Sequence, residues 1–586
     1  MHQANTEPLR SIYFDYQVYP ATPRPASPQT AKVVVAGAGL IGRATALELA
    51  RLGVPCVLLE AEQQMCEGSR AVVFTRRSME ILQQIGADKA VTALGLPWRH
   101  GNSFYRGQRV FRMEAPHSGD ERFAPMTNLQ QQFLEQALAG RVQAQPLIEM
   151  RWGHKVTRVV NAGLDGAAAQ LEVDTPQGSY LQTADHVVAS DGARSSIRSL
   201  LGLKLEGSSY EGRFVIADIR IDLPLPTERL AFFDPPWNPR NTVLMHREPL
   251  GIWRIDYQLP AGEMPEQALA PDSLRTRIDA QLAMIGHGGL AWELDWSSVY
   301  SARALTLPDY QHGRFLFAGD AAHLLPIFGV RGANTGFQDG QNLAWKLACV
   351  ARGLAPDGLL RSYSQERVAA AREIIEEAGK STRFMTPPTR GFRALRDAVL
   401  SLSLTQEFVR PLYHWRTSRP HVYTDSSLNS ADDDNTMFQT GPAQGEPMAN
   451  VALGPDGYLM DDFPAGFMLM LFGHADSPAT APLADILQTA QAIRTSGVPL
   501  GLTLVCPKAP QEPGELGKGQ ATAGIDRLVQ DTHGRIALKY GVLKDGAAYL
   551  FRPDQHVCAR WQGLSAPQLE SALAQALGQP APTGKR

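Results

Sequence analysis

The chain has 586 residues, 44% hydrophobic and 20% charged, a composition ordinary for a globular protein with room for about two to four structural units. A net charge of -3 without a concentrated basic run gives no support for nucleic-acid binding, and no apolar stretch approaches the roughly 18 residues of a membrane span. Five scattered cysteines with no CxxC, and fourteen histidines without paired ligand spacing, exclude a disulfide framework and a zinc site, so a reducing cytoplasm and no metal are expected.

Residues 1–30 lack the basic-then-apolar plan of a signal peptide and read as an irregular leader, either packed across the fold or disordered. VVVAGAGLIG at 33–42 then opens a nucleotide-binding α/β unit over 31–204. Residues 32–36 form a buried parallel strand, after which Gly37, Gly39 and Gly42 allow a tight turn, close approach to a pyrophosphate and close helix packing. Leu40 and Ile41 lie within that turn, and a helix over 44–52 aims its N-terminal amides at the phosphates. A second strand, 56–59, ends in Glu60 and Ala61, about 20 residues on, where an acid binds ribose hydroxyls.

VVASDGARSSIR at 187–198 puts Asp191 and Gly192 at the end of a strand over 186–190. By itself it is an Asp-Gly turn with a capping serine, Ser195. Residues 205–300 change texture to strands divided by Pro-rich turns, a sheet-rich insertion. In GIWRIDYQL alternation sets Trp253, Ile255 and Tyr257 on one face and Arg254 and Asp256 on the other. Over 301–423 the α/β pattern returns. FLFAGDAAHLLP ends a strand in Gly319 and Asp320, whose carboxylate suits sugar-alcohol hydroxyls, and Pro326 stiffens the next loop. Amides around Gly332, Ala333 and Asn334 begin a helix over 334–352 and suit negative charge on a reduced ring system; a further helix follows over 364–381. A polar stretch over 424–446, with Asp432, Asp433 and Asp434, reads as a solvated linker, and 447–586 as a small α/β domain of its own.

Taken together, GxGxxG at 37–42, DG at 191–192 and GDAAH at 319–323 resemble the single-component FAD-dependent aromatic hydroxylases, the para-hydroxybenzoate hydroxylase and phenol hydroxylase superfamily. The layout is most similar to 3-(3-hydroxyphenyl)propionate hydroxylase-like members. The resemblance covers 31 to about 385. It implies an α/β fold: a Rossmann-like FAD-binding domain carrying an inserted sheet-rich substrate domain over 205–300. Arg70 in SRA is then a contact to flavin and pyrophosphate, Gln131 falls at a flavin-contacting glutamine, and Asp191 serves both FAD and the pyridine nucleotide. GVRGAN replaces the GGQGMN-like loop of many relatives and sets Arg331 beside the flavin; SYSQERVAAA replaces an ERRP-like helix start, a matter of packing. Residues 447–586 resemble the thioredoxin-like domain of these hydroxylases, without CxxC, which implies support or subunit contact in a homodimer.

The function so implied is a monooxygenase: NADH or NADPH reduces FAD, O2 adds to give a hydroperoxide, and its distal oxygen attacks a phenolic ring. The expected substrate is a small aromatic acid such as 3-(3-hydroxyphenyl)propionate or 3-hydroxybenzoate, in catabolism. Tyr257 or His246 is the candidate for the ring hydroxyl and Arg247 or Arg254 for a carboxylate, with Tyr210 and Arg213 in the region that binds substrate or gates the flavin. His323 is set aside as a loop-fixing residue. The competing readings are a tailoring or antibiotic-modifying monooxygenase acting on a larger polycycle, and a flavin-binding protein that does not hydroxylate.

Overall fold

The computed structural model describes residues 5–579 apart from 261, 327, 414–418, 431–436, 455–456, 474–480, 508–523 and 544. Three valines and an alanine, Val33 to Ala36, are all buried, so the strand Gln29–Ala36 takes the centre of a parallel sheet. It pairs with Cys56–Glu60 on one side and Gly178–Ala189 on the other, and the latter pairs with Phe315–Phe317. This one arrangement brings all three motifs to the same strand ends, where an open α/β sheet places its ligand.

Helix Leu40–Arg51 crosses helix Gly332–Ala351 closely because the second presents Gly336 and Gly340 to the first. A Cβ at Gly336 would lie 2.7 Å from Ile41, and one at Gly340 would lie 2.5 Å from Thr45. The turn Gly319–Ala321 packs into the same contact, with Ile41 3.1 Å from a Cβ built at Gly319.

A second, eight-stranded sheet takes in most of 205–300, including Glu206–Arg220, Ile252–Gln258 and Glu293–Thr306. The expected insertion was too narrow. His100–Tyr105 and Gln108–Glu114 join its edge, and His323–Leu324 joins the other. Those strands escape the sequence pattern because HGNSFY and QRVFRME carry polar residues on both faces, and their pairing is set by Arg229–Phe233 alongside. One face of this sheet buries Val215, Trp253, Ile255 and Tyr257 against the helix Pro271–Met284. The opposite face turns toward the first domain.

The C-terminal sheet runs Arg527–Gln530, Leu500–Cys506, Phe467–Phe472, Ala548–Phe551, Val557–Trp561, with the first three parallel and the last two antiparallel. One face has a core of its own around Met470, Tyr540 and Tyr549, while the other is shared with the first domain. Phe467, Leu469 and Trp561 belong to the apolar cluster that contains Val34 and Trp345, and Trp345 meets Phe467 edge-on at 5.7 Å. The described part of 424–446 is likewise no solvated linker, since Leu428 and Phe438 are buried; Asp432, Asp433 and Asp434 lie outside the described residues. The leader packs across the fold. Phe14 and Tyr16 are buried, the Tyr16 hydroxyl accepts from Gly68 N and donates to Cys66 O, and the Ser11 hydroxyl donates to Asp295 of the second sheet.

Candidate functional site

The first turn shows why it must be glycine. Gly37 has φ +96°, and a Cβ there would meet Ser190 O at 2.6 Å; a Cβ at Gly42 would meet Gly37 O at 1.9 Å. At Gly39 a Cβ would touch nothing within 4 Å, which leaves the free space a pyrophosphate needs over the helix N-terminus. Glu60 closes the turn, accepting from Ala38 N at 2.7 Å and from Glu62 N at 3.0 Å. Burial raises its carboxyl, with Arg43 opposing. Arg43 is a residue the sequence reading missed. Its guanidinium is buried against the Trp152 ring, 3.8 Å from Glu135, with Nε and Nη1 lacking hydrogen bonds. A buried guanidinium with two nitrogens short of hydrogen bonds, beside the ribose acid, fits an anionic dinucleotide.

Several expected contacts are engaged elsewhere through their side chains. Asp191 accepts from the Ser195 and Ser196 hydroxyls and from Ile197 N, so its carboxylate caps the helix Ser196–Leu200. Gly192, at φ +79°, leaves open space beside it. Gln131 accepts from Ala71 N and donates to Glu135 and Cys66, fixing the 66–71 loop. Asn334 accepts from Thr75 N and the Ser78 hydroxyl and donates to Val73 O and Val330 O. The helix amides of Gly332, Ala333 and Asn334 remain, because the first intrahelical donor is Thr335 N, to Arg331 O.

Asp320 reaches solvent although protein surrounds it, and burial raises its carboxyl while His323 and the exposed Arg70 oppose the shift. Arg70 and Asp320 are thus both exposed and within electrostatic reach of each other. His323 Nε2 lies 2.6 Å from Asp339 and Arg367 Nε donates to the other Asp339 oxygen at 2.6 Å, all three buried. His323 thus ties the motif to the following helix. Pro326 is buried, Leu40 is buried, Ile41 and Ala61 partly so. In GVRGAN the unusual residue is Val330 as much as Arg331: Val330 sits at φ +62°, a left-handed conformation costly for a β-branched side chain.

The second sheet's inward face divides in two. Phe214, Leu244, Phe233 and Phe328 form an apolar half with Phe384 and Met385 of the helix Leu359–Met385. Arg254, Asp218, Glu248, His246 and Arg229 form an ionic half. The two halves touch the cofactor domain, since Arg254 donates to Ser69 O and Arg70 O, and Tyr300 to Leu325 O.

Of the four substrate candidates, the structure does not bring two to this face. Tyr257 is buried on the far side, beside Trp237 and Arg277, and Arg247 there donates to Leu225 O. Alternation had separated Tyr257 from Arg254 correctly, but which face met the cofactor was a tertiary matter. Arg254 is on the right face yet its guanidinium is held by both Asp218 oxygens at 2.8 Å, which leaves it a domain clamp rather than a free carboxylate receptor. His246 is on the face and buried, where desolvation and then Arg229 and Arg254 hold it well below its ordinary value, hence neutral. Arg213 donates to Glu263 O, and the Tyr210 side chain lies outside the described residues.

A cleft of Rossmann strand ends, glycine turns and a buried arginine defines a flavin-nucleotide site, and a family model described as "FAD binding domain" matches residues 30–378. The chain belongs to that family, and FAD is its cofactor. It is 28% identical over 374 residues to the 3-(3-hydroxy-phenyl)propionate/3-hydroxycinnamic acid hydroxylase of Mycolicibacterium smegmatis, a match covering 64% of this chain and 65% of that one. The match thus spans slightly under two thirds of that relative. A Klebsiella pneumoniae protein of the same name is 26% identical over 561 residues, covering 95% and 96%. Among solved structures, the flavin-dependent monooxygenase PieE in complex with FAD and substrate superposes with TM-score 0.75 at 21% identity, covering 94% of this chain and 99% of that one. Aklavinone-11 hydroxylase with FAD and aklavinone gives 0.72 at 23%, with the same coverage. The resemblance to FAD-dependent aromatic hydroxylases is borne out. No helix among the described residues is long and apolar enough to cross a membrane.

Proposed function

We propose that the protein is an FAD-dependent monooxygenase that hydroxylates a phenolic ring with NADH or NADPH and O2. The observation that carries this reading is the divided sheet face, apolar at one end and ionic at the other, set against the cofactor cleft. An aromatic ring suits the Phe214–Phe328 end, where the rings meet edge-on at 5.4 Å, and its hydroxyl suits the polar end. The bound flavin supplies reducing equivalents and activated oxygen. The chain supplies position, exclusion of water and a place for the phenol proton.

Arg70, Glu60, Arg43, Asp320 and the amides of Gly332–Asn334 are the groups that would hold FAD; the Asp191 and Asn334 side chains shape the site indirectly. A small hydroxylated aromatic acid such as 3-(3-hydroxyphenyl)propionate is favoured by the names of the curated relatives. A larger polycycle is the second reading, favoured by the near full-length fold neighbour whose ligand is aklavinone. NAD(P)H oxidation by the FAD-loaded protein against a panel of phenols and polycycles, with 18O2 incorporation into product, tests both. Stimulated oxidation with labelled product is expected for small phenols. Oxidation that no aromatic ligand stimulates, or product without label, overturns the hydroxylase reading.

A further inference from the structure

We propose that Asp256 is the group that accepts the substrate hydroxyl's hydrogen bond and takes its proton. The inference rests on the hydroxylase reading above. Asp256 sits where the two halves of the inward face meet. Across the sheet it is flanked by Ile216 and Leu244, and along its strand by Arg254 and Gln258. Ile216, Asp256 and Gln258 are half-buried while Leu244, Arg254 and Asp218 are buried, so this is where the face opens. Asp256 Oδ1 is itself buried and has no hydrogen-bond partner among the described residues. A ligand hydroxyl donating to that oxygen would supply the partner it lacks.

The other ionisable groups facing Asp256 are accounted for. On the same strand Arg254 is paired with Asp218. On the adjacent strand His246 is neutral, and just past it Glu248 is buried 3.5 Å from Arg254 without a hydrogen bond to either oxygen, its carboxyl raised well above the usual range by desolvation and by Asp218. Arg229 of the next strand faces Asp256 and stabilises its charge. Desolvation lifts the Asp256 carboxyl to about 7, against the opposing pull of Arg254 and the added push of Asp218. A base of that strength is matched to neutral pH. In the step, the phenol O–H bond breaks, an O–H bond forms at Asp256, and the electron pair stays on the ring oxygen. One negative charge moves from carboxylate to phenolate, so the cleft keeps its net charge while the ring becomes electron-rich.

The experiment uses FAD-loaded protein, with 3-(3-hydroxyphenyl)propionate for turnover. Wild-type turnover should rise with pH through about 7, as the Asp256 carboxylate forms. Asp256→Asn should keep bound FAD, lose turnover by on the order of 10²-fold and lose that limb, and Asp256→Glu should restore a limb at a displaced midpoint. An Asn variant that keeps both rate and limb overturns the proposal. A second readout does not depend on turnover or on that variant folding: the visible phenolate band of bound 3-nitrophenol, which ionises in water above neutrality. In wild type the band should titrate with a midpoint displaced from that of the free ligand, through coupling to the Asp256 carboxyl, and that midpoint should move in Asp256→Glu. A band that follows the free ligand in both overturns the proposal. If no phenol stimulates the wild type, the hydroxylase reading fails, and the 3-nitrophenol band still judges Asp256.

Discussion

At single residues the cofactor turn makes two separable demands. Gly42 has no room for a Cβ because the Gly37 carbonyl stands 1.9 Å away, so Gly42→Ala must shift backbone and is expected to lower both FAD affinity and apoprotein melting temperature. Gly39 faces open space, so Gly39→Ala should leave apoprotein melting unchanged while filling the pyrophosphate's place and weakening FAD. Flavin-fluorescence titration beside thermal melts distinguishes the two; equal effects on both would contradict this division of labour. Val330 offers the opposite sign. At φ +62° its backbone is strained, and Val330→Gly should stabilise the protein by about 1 kcal/mol in chemical denaturation. This residue also shows what a motif comparison conceals. The GGQGMN-to-GVRGAN difference drew attention to the charge on Arg331, whereas the backbone places the conformational cost one residue earlier.

Between elements, the contact of helices Leu40–Arg51 and Gly332–Ala351 sets the cleft's width. Gly336 and Gly340 allow Ile41 and Thr45 to approach, and the His323–Asp339–Arg367 set holds the GDAAH turn to the same helix. Gly340→Leu should overpack against Thr45 and cost about 1–3 kcal/mol, read as a lower denaturant midpoint with an unchanged slope. The long helices and the parallel strands were legible in the sequence, since their apolar periods are strong: 334–352 and 364–381 became Gly332–Ala351 and Leu359–Met385. Strands such as Gln108–Glu114 were not, because neither face is apolar and only a partner strand gives them their shape. The same holds for Arg43, whose meaning comes from Trp152 and Glu135, about a hundred residues away in sequence.

For the whole molecule, a buried ionic set joins the C-terminal sheet to the FAD-binding domain. Arg552 donates to both Glu366 oxygens and to Asp554, Lys346 donates to Glu366, and Arg77 donates to Gln555 and to Asp554 O. Burial alone would raise the Glu366 and Asp554 carboxyls, but Arg552, together with Lys346 at Glu366 and His556 at Asp554, holds both below the usual carboxylate range. Their folded pKa values being depressed, the stability they contribute is present above the ordinary carboxylate range and is lost as pH falls through the folded values. Acid should therefore weaken the joint. Arg552→Ala removes the partner that two buried carboxylates share, leaving Glu366 with Lys346 and Asp554 with His556, with an expected cost of about 3–5 kcal/mol, and should make the C-terminal domain open to limited proteolysis at neutral pH. A variant as resistant as wild type would show that the apolar contact around Trp345 and Phe467 holds the joint by itself.

The sequence by itself determined the cofactor and the frame that holds it. Glycine turns and buried β-branched strands are local devices, and three of them in order specify one nucleotide cleft. What only the tertiary structure decided was the substrate side. Alternation sorts a strand's residues into two faces but cannot say which face meets the cofactor; that depends on helix Pro271–Met284 covering the Tyr257 face. Nor can it say which charges are already paired, and Arg254, held by Asp218, shows the difference. Burial and pairing are properties of neighbours distant in sequence, and they set Asp256 apart from the residues beside it.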